Sequence, residues 1–119
     1  MFDAAPGQVG PGHEIARLTR EAAKRLAAGG AAAREVSAMR NFGKTVAQLR
    51  WSRRFSRADV AQHSGLSDKE VAYIEWGLLL LGDVSDRVPQ LALGLDISAN
   101  SLSRILSTIL ASAERPTVL

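Results

Sequence analysis

The residues of this chain that could do chemistry are cations rather than nucleophiles. It has no cysteine and only two histidines, His13 and His63, far apart in sequence. Disulfides, thiolate zinc sites and cysteine nucleophiles are thereby excluded, and the histidines lack the spacing of metal ligands. No Gly-rich phosphate loop and no nucleophile–base pair occurs either, so no enzyme, cofactor or metal is expected. What is left is arginine and lysine. The formal net charge is only +3, but residues 40–77 carry seven Lys/Arg against four Asp/Glu, the first 39 residues five against four, and the last 42 three against four. A local excess of this kind is what a surface facing phosphate requires.

The elements that must position these cations centre on Arg57 to Trp76, where two short amphipathic patterns meet at Gly65. Val60, Ala61 and Ser64 are spaced to face inward from a first helix, Gly65 takes the turn, and Leu66, Val71 and Ile74 close the core from a second. Ser56 is placed to cap the first helix. Ser67 caps the second, with Glu70 at its third position completing a capping box.

The rest of the chain reads as helix around this unit. Met1–Gly12, rich in Pro and Gly, is expected to be disordered. His13–Ala28 has a stripe of Ile15, Leu18, Ala22 and Leu26, and Gly29-Gly30 interrupts it before a weaker pattern over Ala31–Met39. So few large apolar residues predict an N-terminal extension, residues 1–40, that is mobile or helical. Asn41 is the expected N-cap of a helix from Phe42 to about Arg53, with Phe42, Val46 and Leu49 inward. Asp86 is the expected cap of a later helix with Pro89 in its first turn. A last helix spans roughly Ala99 to Ala113, and residues 114–119 form a tail.

Leu49-Arg50, Phe55-Ser56-Arg57, Val60-Ala61, Ser64-Gly65-Leu66-Ser67, Val71, Ile74-Glu75 and Gly77 form a pattern that resembles the lambda-repressor-like, Cro/XRE-type DNA-binding domain. The resemblance covers residues 42 to about 106 and implies an all-α, five-helix helix-turn-helix bundle within residues 41–113. It also implies roles. Arg50 and Glu75 would form a structural ion pair. Arg57 would hold a phosphate or position the reading helix, Arg53 and Arg54 would flank the DNA backbone, and Ser67, Asp68, Lys69 and Tyr73 would face the bases.

The sequence departs from the family in two places. Its reading helix carries Asp68, Glu70 and Glu75 against the single Lys69, and the usually polar connection after Gly77 is Leu78 to Leu81. Leu79, Leu80, Leu81, Leu106, Ile109 and Leu110 exceed what so small a bundle usually hides, so they are the expected dimer or partner surface, unless a helix of the extension covers them. The function expected is sequence-specific transcriptional regulation by a homodimer on a two-fold operator in double-stranded DNA. The alternative is an antitoxin or adaptor-type module that grips a protein partner. No apolar run approaches a membrane span and no secretion signal is evident, so the cytoplasm is the expected compartment.

Overall fold

The computed structural model describes residues 11–114, with the side chains of residues 12–113. These residues form six helices and no strand: α1 (Pro11–Ala28), α2 (Gly30–Ser52), α3 (Arg57–Ser64), α4 (Asp68–Glu75), α5 (Leu81–Leu95) and α6 (Ala99–Glu114). Of the segment expected to be disordered, Pro11 and Gly12 open α1, while residues 1–10, like the tail at residues 115–119, lie outside the described residues. α3 packs on α5, while α2 packs against α1, α4 and α6. Between them sits one core, whose largest fully buried side chains include Phe42, Met39, Ile74, Leu91, Leu95 and Leu102.

α2 is continuous through the expected domain boundary at residues 40/41, and Asn41 is not an N-cap. It lies exposed in mid-helix, where its carbonyl accepts from Thr45 Oγ1 at 3.1 Å. Burial decides this. Val36 and Met39 are each 1% exposed, and burying such side chains contributes on the order of 2 kcal/mol each. The helix-propensity penalty of one Asn is only a few tenths of that. Helix formation over Ala31–Met39 therefore follows from packing, and the first half of α2 belongs to the core rather than to an extension.

The start of α5 also differs from expectation. The helix begins at Leu81 rather than after Asp86, which leaves Pro89 inside it. Leu80 offers no side-chain cap; instead the Leu81 N–H donates to Glu35 Oε2 of α2 at 3.2 Å. Starting early buries Val84 and Val88, 2% and 3% exposed. Ser85 and Pro89 are both exposed, so the carbonyl that the proline leaves without a donor sits on a wet turn of the helix.

The apolar surface expected for self-association is only partly covered within the chain. Leu106 is 6% exposed, and Leu79, Leu81, Ile109 and Leu110 pack against the core, leaving Leu80, at 46%, as the open member of the set. α2 packs along α6, and Ala31, Arg34 and Glu35 of its first half line a small cavity with Leu110 and Ala113 of α6.

Candidate nucleic-acid interface

The α3–α4 corner is fixed by its own backbone chemistry. At the start of α3, Ser56 Oγ accepts from the Asp59 N–H at 3.0 Å and Asp59 Oδ2 from the Ser56 N–H at 2.8 Å. Ser67 and Glu70 repeat the arrangement at α4, at 3.0 and 2.9 Å. Between the helices Gly65 is left-handed, φ 80°, a conformation that costs glycine nothing, and Ser64 Oγ accepts from the Leu66 N–H at 3.0 Å. The capping bonds hold the carboxyls of Asp59 and Glu70 below the usual carboxylate range; the backbone donor of the capping Ser is the leading cause in each case. α4 is pressed onto α2 at Gly43, where an added methyl would fall on the carbonyl oxygens of Ile74 and Glu75.

At the far end of α4 a single carboxylate gathers two arginines. Glu75, with a side chain 2% exposed, accepts from Arg50 Nε at 2.6 Å and Nη2 at 2.9 Å, and from Arg57 Nε at 3.0 Å. Arg50 Nη1 also donates to the Phe55 carbonyl at 3.0 Å, so the guanidinium ties α2, the turn after it and α4 together. Glu75 raises the Arg50 pKa above its ordinary value despite burial. Arg57 reaches the same carboxylate from α3 and lies over the Trp76 ring, 5.2 Å from its centroid. Arg50 and Glu75 are thus together, and Arg57 is engaged as a positioning residue.

Arg53 and Arg54, expected on the DNA backbone, separate in role. Arg53 Nε donates to the Leu95 carbonyl and Nη2 to the Asp96 carbonyl at 3.2 Å, so it caps the C-terminus of α5. A backbone acceptor more than forty residues away leaves no mark in the sequence. Arg54 is exposed and makes no ion pair among the described residues. It sits in the turn closing α2 with φ 60°, the left-handed position usually held by glycine.

Of the expected base-facing residues, Ser67, Asp68 and Lys69 are exposed at the start of α4, the Ser67 hydroxyl being held in its cap. Tyr73 is not open to a groove. It is 5% exposed, and its hydroxyl donates to Glu14 Oε1 of α1 at 2.5 Å. Lys69 Nζ lies 3.2 Å from the same carboxylate oxygen. These bonds, Tyr73 first and Lys69 second, lower the Glu14 pKa, and the reciprocal effect pushes the Tyr73 phenol up to about 12. Beside them Ile15, Ala72, Tyr73 and Trp76 line an open cleft of about 390 Å³, edged by Arg57, Asp68 and Lys69.

Two positions that shape the site stand outside the sequence motif. Glu14 is separated from its partners by the whole of α2 and α3, and nothing local distinguishes it from Glu21, which pairs with Arg17 at 3.3 Å on the solvent side of α1. Gly43, by contrast, had a signal: a glycine beside the apolar stripe of Phe42 and Val46 marks close approach of another backbone. Among the described residues no group of three or more His, Asp or Glu is arranged to hold a metal, and no helix is long and apolar enough to cross a membrane. No family model, no curated protein and no solved structure matches this chain.

Proposed function

We propose that the α3–α4 unit binds double-stranded DNA and that the chain regulates transcription without catalytic activity. The observation that supports this reading is the direction of the acids on α4. Glu75 is buried between Arg50 and Arg57, and Glu70 turns back to its cap and to Arg87 Nε at 2.8 Å. The exposed start of α4 therefore carries Asp68 and Lys69, the latter paired with Glu14 of α1, with the cation of Arg54 added from the turn after α2. Lys69 donates to guanine and Asp68 accepts from a cytosine amine in the major groove, each good contact being worth about 1–3 kcal/mol of discrimination. A second copy on a two-fold operator places its α4 roughly 34 Å away, on the same face of the duplex.

Fluorescence anisotropy against genomic fragments, including the chain's own promoter, tests the reading over a range of salt concentrations. Affinity is expected to fall as salt rises, Arg54→Ala to reduce that slope by about one, and Lys69→Ala to relax base preference. Salt-insensitive binding, or full affinity in the Arg54→Ala, Lys69→Ala double variant, overturns it. The mass of the DNA-bound species distinguishes one copy from two.

A second reading, an antitoxin or adaptor-type module, is favoured by the apolar cleft beside α4, because Trp76 there is 43% exposed. Co-purification with the product of a neighbouring gene, abolished by Trp76→Ala, tests it.

A further inference from the structure

α1 rests on the part of α4 that the DNA reading assigns to base recognition. Glu14 holds Lys69 and Tyr73 at 3.2 and 2.5 Å, and Ile15 adjoins Ala72, Tyr73 and Trp76 across the cleft. The major groove, about 12 Å wide, admits one helix, and an α-helix with its side chains is itself about 10–12 Å across. A second helix against the outward residues of α4 leaves no room for both.

The seat of α1 is shallow. Among its described residues Ala22 is the one fully buried apolar side chain, Ile15 and Leu18 are half-buried, and Leu26 is 38% exposed. The buried Arg25 Nε has no hydrogen-bond partner among the described residues. α1 joins α2 through Gly29 and Gly30, with φ 72° and 61°, and a methyl on either would meet nothing within 4 Å. α1 lies along α2, but few buried apolar side chains and an open glycine pair are the ingredients of a helix that detaches before the core does.

The geometry points to α1 as an intramolecular cover of the reading helix, in which Glu14 and DNA compete for Lys69 and Tyr73 and α1 swings about Gly29-Gly30 before α4 enters a groove. This rests on the DNA reading given above. The cover and the open state are two conformations of one chain, and DNA, binding only the open one, is weakened by the fraction that is closed.

The full chain, Glu14→Lys and Glu21→Lys separate the cover from its charge. Both variants make the same change of charge on α1, but only Glu14→Lys sets a cation against Lys69, whereas Glu21 pairs with Arg17. By anisotropy on a mixed-sequence duplex, Glu14→Lys is expected to bind about tenfold more tightly than Glu21→Lys. A second measurement needs no DNA. Tyr73 is the only tyrosine, so ultraviolet absorbance follows its ionisation, expected to be pushed up to about 12 in the full chain and in Glu21→Lys and to fall toward the ordinary 10.0 in Glu14→Lys. Equal affinities in the two variants, with the tyrosine released in one, overturn the cover and leave the DNA reading intact. An ordinary tyrosine titration in the unaltered chain shows α1 unseated and overturns the cover on its own. No binding by any of the three, with a shifted tyrosine, overturns the DNA reading and the cover with it.

Discussion

Glu75 ties three helices together, because it accepts three hydrogen bonds from arginines on two other helices. Glu75→Gln leaves the Arg50 guanidinium, 8% exposed, without its counter-charge, and the expected loss is about 3 kcal/mol, read by urea unfolding. Arg57→Ala removes a partner that is 39% exposed, where solvent screens the pair, so its cost is expected to be below about 1 kcal/mol. The reverse order would place the support of α4 elsewhere. Arg54 poses the opposite case: an arginine in a left-handed turn costs about 1 kcal/mol relative to glycine. Arg54→Gly is expected to raise stability by about that much while weakening DNA binding, two readouts on one protein. The Arg50–Glu75 pair was expected because the family resemblance implies it at these two positions; Arg53 was not, since its partners are carbonyls whose position depends on where α5 ends.

Among the elements, the caps of α3 and α4 were legible because Ser56 with Asp59 and Ser67 with Glu70 satisfy their own backbone donors, and such chemistry is local. Asn41 and Asp86 are cap-forming residue types in a different context. Helices run through them because Val36, Met39, Val84 and Val88 gain more from burial than a cap supplies. The leucines after Gly77 are half-buried against the core apart from Leu80, and the start of α2 meets them at the Leu81 N–H through Glu35, a contact that no local pattern announces. A paired glycine experiment probes this level. Gly43→Ala sets a methyl against backbone carbonyls of α4 that cannot rotate away, and is expected to cost roughly 1–3 kcal/mol. Gly82→Ala meets nothing within 4 Å in the first turn of α5, and is expected to gain up to about 1 kcal/mol. Thermal melts of the two variants, moving in opposite directions, test whether α4 is held by backbone contact.

At the scale of the fold, the three carboxylates held below their ordinary values among the described residues all bear on the α3–α4 corner: Asp59 and Glu70 cap its helices, and Glu14 ties α1 to it. A lowered carboxylate stabilises the fold above its ordinary pKa, 3.8 for Asp and 4.5 for Glu, and that contribution is lost as pH falls through the folded value. Tyr73 has the other sign. Raised to about 12 by its bond to Glu14, its contribution is complete below the ordinary 10.0 and is lost as pH rises through the folded value. The contact of α1 with α4 is therefore limited at both ends of the pH range by one pair of groups, while the apolar core of Val60, Leu91 and Leu95 contains no titrating side chain. Acid and alkali are each expected to release α1 before the core opens. Amide exchange resolved along the chain reads this directly: protection in α1 should fall first at both extremes, with α5 still protected. Joint loss of protection in α1 and α5 would show α1 to be part of the cooperative unit, and a helix so integrated could not move aside for DNA.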